Sequence, residues 1–233
     1  MSLTRGTAIV LRIRDFSESD LIVTLFTEEW GKRTMIAKGA RSLRSKFGGV
    51  FDLLNQVEVV FYEKPRLDFV GQAALLEPHL VLKGNLEAVT AALSISRLLE
   101  RLLPLHQQEE PAYELFTRFL TLLGAGEAPA DRLQLAATLK LVSILGHRPN
   151  LRACGRCKRR SGPFVFAAAE GGLRCTRCGP QDGIPITVGL ARSLEVLLTS
   201  PLERAGRLRL SALDRESARN VLAAYVDHLV SGP

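Results

Sequence analysis

The chain has 233 residues, 46% of them hydrophobic and 24% charged, which excludes fibrous and disordered chains and leaves room for two or more compact cores. Thirty-one Lys and Arg against 24 Asp and Glu give a formal charge of +7, a balance that favours a polyanionic partner. No stretch approaches the roughly 20 apolar residues needed to cross a bilayer, so a cytoplasmic protein is expected, in which two close cysteine pairs hold metal rather than form disulfides.

Five short strands are expected first: Thr7 to Arg14, Leu21 to Thr27, Lys32 to Ala37, Gln56 to Glu63 and Leu67 to Leu76. They are rich in β-branched residues and alternate with period two, Val57, Val59 and Phe61 facing one way while Glu58 and Tyr62 face the other. Five such strands suit a small barrel of the OB type, placing an all-β unit at residues 1–79. In the first strand Ile9, Leu11 and Ile13 should share the inner face and Arg12 and Arg14 the outer one.

Between Gly31 and Phe51 there are six bases and no acid. Lys32 and Arg33 lie in the third strand; Lys38, Arg41, Arg44 and Lys46 lie in the connection that follows it, where Gly39 and Gly48-Gly49 let backbone amides approach phosphate. With Arg12 and Arg14 these are the candidate DNA-binding residues of the barrel. Phe47, Phe51, Tyr62 and Phe69 are its candidate base-stacking aromatics.

From Leu80 the apolar period becomes helical. Stripes run through Ala88 to Leu103, through Ala112, Leu115, Phe116, Phe119, Leu120 and Leu123, and through Leu133 to Leu145, with breaks at Pro104, Gly124 to Pro129 and Gly146 to Pro149. Helices resume at about Thr187 to Leu198 and Asp214 to Val230, the latter behind a Ser211-x-x-Asp214 capping signal. Residues 80–149 and 184–233 therefore read as one helical domain interrupted by residues 150–183.

That interruption has no periodicity and reads as a loop-built module too poor in apolar residues to fold alone. Cys154-x-x-Cys157 and Cys175-x-x-Cys178 give it two tight turns, each presenting two thiolates to one tetrahedral zinc ion. Four protein ligands leave no open position for water, so the zinc is expected to be structural. The module carries seven bases and two acids. About two positive charges offset the net −2 of a zinc tetrathiolate; Arg152, Arg156, Lys158, Arg159 and Arg160 are candidates for phosphate. His147 is expected to cap or pack rather than to bind metal.

No phosphate-binding loop, His-Glu-x-x-His or Gly-x-Ser-x-Gly motif is present, so no catalytic residue and no enzymatic activity are expected. Two alternatives stay open: a metal-dependent nuclease built on Asp15, Glu18 and Asp20, and an interaction scaffold whose basic surfaces meet acidic peptides.

Several strings resemble the RecO recombination-mediator family. Asp20 to Thr27 (DLIVTLFT), Gly31 and Ile36 to Arg41 (IAKGAR) are similar to its N-terminal barrel, and Glu114 to Phe116 with the following leucines to its helical core. Leu145 to Pro149 (LGHRP) with the first cysteine pair, then Gly171-Gly172-Leu173 with the second, resemble its zinc segment. The family varies in its cysteines, so the presence of all four here favours metal. The resemblance implies an α+β multidomain protein: an N-terminal OB-fold β-barrel, an α-helical bundle domain and a four-cysteine zinc-binding module. It further implies binding of single- and double-stranded DNA, annealing of complementary strands, and action with RecR to help RecA replace single-strand-binding protein. Recognition of that protein's acidic C-terminal tail, and association with the nucleoid during repair, are implied as well.

Overall fold

The computed structural model describes residues 3–64, 66–178 and 183–232; the outer bounds Met1 and Pro233 of the expected domains, and residues 179–182 of the cysteine module, lie outside the described residues. The chain forms two compact units, Met1–Leu120 and Thr121–Pro233.

The first unit is built on β1 (Leu3–Asp15), β2 (Leu21–Thr27), β3 (Gly31–Ala37), β4 (Gln56–Tyr62) and β5 (Asp68–Glu77). They close in the order β1-β2-β3-β5-β4, antiparallel except for β3 against β5, which is the OB arrangement expected from the alternation. Ala8, Val10, Val23, Leu25, Met35, Ala37, Val57, Val59, Phe61 and Val70 fill the interior. Phe47 and Phe51, from the β3–β4 connection, join the same cluster and plug the barrel.

Strict alternation along β1 fails at one residue. Val10 pairs with Leu25 and Arg12 with Thr24, so Leu11 is the extra residue of a β-bulge. Ahead of it the inner residues are Ala8 and Val10; beyond it Ile13 packs against the core. Ile9 and Leu11 therefore do not share the inner face with Ile13 as expected. They lie outside the barrel, yet are buried.

Helices provide the cover. After the single turn α1 (Leu80–Lys83), α2 (Leu86–Leu102) packs on β1, and Ser96 Oγ donates to the Leu11 carbonyl. Asn85 starts α2 by accepting the Ala88 amide at 3.0 Å. In α3 (Glu110–Ala125), Tyr113 lies edge-on to the outward-facing Phe26, and burial pushes its phenol up to about 12. An apolar outer face on two strands has to be covered, so these helices serve the barrel as well as one another.

The second unit packs α4 (Ala130–Ile144) against α5 (Val188–Thr199), α6 (Leu202–Ala205) and α7 (Ala212–Ser231). Ser211 caps α7 by accepting the Asp214 amide at 3.0 Å, as the sequence signal predicts. Gly146, at φ 89°, ends α4, and the His147 amide returns to the Val142 carbonyl, so His147 contributes a cap.

Residues 150–183 are more ordered than a loop-built module. β6 (Phe164–Ala167), β7 (Gly172–Cys175) and β8 (Ile184–Ile186) form a three-stranded antiparallel sheet in the order β7-β6-β8. Every residue of β6 and β7 is buried, and Phe166 meets the Tyr225 ring of α7 at 5.5 Å. Apolar packing on the helices therefore supports this segment together with its cysteines.

One buried ion pair closes the barrel near the start of β5. Arg33 reaches Asp68 and Glu63 at 3.2 Å each and lies over the Phe61 ring, with Asp68 2% exposed. Removing the guanidinium leaves a buried carboxylate without its partner, so Arg33→Ala is expected to destabilise the protein by about 3–5 kcal/mol in denaturant unfolding.

Candidate nucleic-acid interface and metal centre

The four cysteines come together. Their sulfurs all lie within 4.8 Å of one another, and Cys157 Sγ is 3.6 Å from Cys175 Sγ. A tetrahedral ion with metal–sulfur bonds of about 2.3 Å sets its sulfurs about 3.8 Å apart, so the cluster fits such an ion with little adjustment. Two different turns produce it. Lys158, at φ 61°, closes the first knuckle by donating its amide to the Cys154 carbonyl; in the second, the Cys178 amide donates to the Cys175 carbonyl at the end of β7.

The backbone prepares these thiols. Burial opposes ionisation of Cys154, but the amides of Cys157, Cys175 and Arg156 outweigh it and bring the thiol down to about 6. Cys178 is pushed up to about 12 by hydrogen bonds shared with Cys157 and Cys175, a competition that a divalent ion ends by taking all four sulfurs as thiolates.

The module's cations divide into two groups. Arg174 and Arg156 both hold Glu170, whose carboxyl they keep below its ordinary range, and Arg156 also donates to the Cys178 carbonyl. Arg152 pairs with Glu195 at 2.7 Å, and Lys158 donates to the Gly155 carbonyl. Arg159 and Arg160 are exposed and have no ion pair or side-chain hydrogen bond among the described residues.

The barrel cations divide in the same way, and two depart from expectation. Lys32 is buried, 9% exposed, and donates its ammonium to the Glu100 carbonyl; burial lowers its pKa while Glu100 opposes the shift. Arg33 is consumed by Asp68 and Glu63. Neither can meet a phosphate, because acceptors distant in sequence have taken both. Arg12 pairs with Glu100 at 2.6 Å but stays half exposed. Lys46 donates to the Gly71 carbonyl and covers the Phe47 ring. Arg41 bridges Asp15 and the Ser17 carbonyl. Arg14, Lys38 and Arg44 are exposed and make no ion pair or side-chain hydrogen bond among the described residues.

Arg14, Lys38 and Arg41 flank one end of the barrel. There the turn between β1 and β2 is laced to the β3–β4 connection: Asp20 accepts the Gly39 amide at 2.8 Å, and Arg41 donates its amide to the Ser19 carbonyl. Asp15 and Asp20 are thus occupied in fixing this turn. The expected stacking aromatics are less available. Phe47 and Phe51 belong to the core, and Tyr62 and Phe69 are half-buried with ring centroids 6.2 Å apart.

The Gly39 amide, then Ser19 and Ser17, hold the Asp20 carboxyl below its ordinary 3.8, against some desolvation. A depressed carboxyl contributes stability in full above its unfolded value and loses it as pH falls through the lower folded value. The tether is therefore complete at neutral pH and released in acid below the ordinary value; Asp20→Ala should produce at pH 7 the faster Gly39 amide exchange that wild type shows only in acid. A second expectation concerns metal: wild type should bind one soft divalent ion per chain, and Cys154→Ser should lose it, as read by elemental analysis after dialysis.

Two family profiles match the chain, "Recombination protein O N terminal" over residues 1–79 and "Recombination protein O C terminal" over residues 83–233. A DNA repair protein RecO of Symbiobacterium thermophilum is 32% identical, the alignment covering 97% of this chain and 92% of the relative. Those of Pelotomaculum thermopropionicum and Anaeromyxobacter sp. strain K are 32% and 33% identical, each over 98% of this chain and over 90% and 92% of the relative. With a closed five-stranded barrel, a helical region and a four-cysteine cluster in that order, the chain belongs to the recombination protein O (RecO) family.

Proposed function

We propose that this RecO-family protein is a DNA-binding recombination mediator. It holds single- and double-stranded DNA, anneals complementary strands without nucleotide hydrolysis, and acts with RecR to help RecA load onto strands covered by single-strand-binding protein. The observation that carries the reading is the set of exposed cations left without partners on a RecO-family fold: Arg14, Lys38 and Arg44 on the barrel, Arg159 and Arg160 beside the cysteines. Residues 1–79 are the DNA-binding barrel, residues 80–149 and 184–233 the helical domain, and residues 150–183 a module held by structural zinc.

The physical basis is charge neutralisation. Phosphates on these side chains release counterions and repel a second strand less, while base edges stay free and pairing supplies the driving free energy. Annealing needs no catalytic group. Arg12, Arg41 and Lys46 contribute at the margin of the barrel site, since each already has an internal acceptor; Arg152, Arg156 and Lys158 play that part beside the cysteines.

One feature favours an additional acidic-peptide role. In the second unit a cavity of about 530 Å³ is floored by Phe164, Leu173 and Val188 and edged by Arg160 and Arg192. Glu195, at its wall, is neutralised by Arg148 and Arg152. An apolar floor with free guanidinium groups suits an acidic tail ending in an apolar residue, such as that of single-strand-binding protein.

The test is salt dependence. If a strand engages all five unpartnered cations, log K for single strands should fall against log salt with a slope of about −3.5. Lys38→Glu with Arg44→Glu should make it shallower by about 1.4 and leave the melting temperature unchanged. A slope near zero in wild type removes the electrostatic account.

A further inference from the structure

The aromatic residue placed to meet a nucleobase is one that the alternation pattern passes over. Phe16 is 58% exposed and belongs to the five-residue turn between β1 and β2. Single exposed phenyl groups are common on protein surfaces and usually mean nothing. Three observations set this one apart.

First, its turn is locked. The amides of Phe16 and Ser17 both donate to the Asp20 carbonyl, and Ser17 Oγ accepts the amides of Ser19 and Asp20. Asp20 then holds Gly39, and Arg41 holds Asp15 and the Ser17 carbonyl. The ring therefore stands on a scaffold that does not have to be ordered when a ligand arrives.

Second, charge surrounds it. The turn and the connection tied to it carry Arg14, Lys38, Arg41, Arg44 and Lys46 against Asp15, Glu18 and Asp20, with Asp15 already paired to Arg41. Arg14, two residues before the ring, and Lys38, beside the Gly39 tether, are free for phosphate. Leu43, on the same connection, is also fully exposed.

Third, the other aromatics of the barrel are unsuited. Phe26, Phe47, Phe51 and Phe61 are buried, and Tyr62 and Phe69 face each other. Trp30 is partly exposed but follows Glu28 and Glu29, whose carboxylates repel phosphate.

We propose that Phe16 stacks on an unpaired base of a single strand whose phosphates lie on Arg14 and Lys38. This rests on the DNA-binding reading and adds a site that distinguishes an unpaired strand from a duplex: a paired base is stacked on its neighbours and offers no free face, whereas an unpaired base can lie on the ring in any sequence. The annealing reaction then has a built-in exit, because pairing removes the base that the ring holds.

The experiment compares the full chain's affinity for a labelled oligothymidylate with that for an abasic oligomer of equal length, at low salt. Wild type should prefer the thymidylate, and Phe16→Ala should weaken thymidylate binding by about 5- to 150-fold while leaving abasic binding unchanged. Phe16→Tyr should restore it, and melting temperatures should not differ. Equal wild-type affinity for the two oligomers overturns the inference while the electrostatic reading stands. It is also overturned if Phe16→Ala weakens both oligomers alike, or neither. Failure of wild type to bind either oligomer removes the DNA-binding reading and the inference with it.

Discussion

One carboxylate organises the end of the barrel on which the proposed DNA contacts depend. By accepting the Gly39 amide, Asp20 joins a short hairpin turn to a long connection that would otherwise cross the barrel mouth with little to fix it. Arg41 reinforces the join from the other side, and Phe47 and Phe51 anchor the far part of the connection inside the core. Loops that carry function need such support, because a flexible strand of DNA gains little from groups that must themselves be ordered on binding. The surface cations are thus displayed by a lattice of backbone hydrogen bonds rather than by regular secondary structure.

The barrel was legible because its signal is local. Strands of seven residues with one face buried alternate visibly, and the expected bounds fall within a few residues of β1 to β5. The cysteine cluster was legible because ligand spacing is itself geometry. Charge was only half legible. A run of bases is visible in the chain, but which ones are spent internally is decided by acceptors far away: Glu63 and Asp68 for Arg33, the Glu100 carbonyl for Lys32. The sheet around the cysteines was not legible at all, because strands of three or four residues buried on both faces show no alternation.

That sheet changes what the metal has to do. With Phe164, Phe166 and Leu173 buried and the Tyr225 ring against Phe166, the strands have a hydrophobic reason to persist. The ion's task is narrower: it draws two knuckles onto one point and so fixes the backbone from which Arg159 and Arg160 project. Glu170 offsets Arg156 and Arg174, which leaves the outermost guanidinium groups as the module's available charge.

The extra residue in β1 has an effect out of proportion to its size. Were the pleat to continue unbroken from Ala8 and Val10, Arg12 and Arg14 would fall on the inward side, and two guanidinium groups would be driven into a space filled by Leu25, Met35 and Val59. Inserting Leu11 shifts the phase by one, so that the same strand lines an apolar interior along its first half and presents cations to solvent along its second. A single unpaired position thereby lets one continuous strand belong to both the core and the surface on which nucleic acid is proposed to lie.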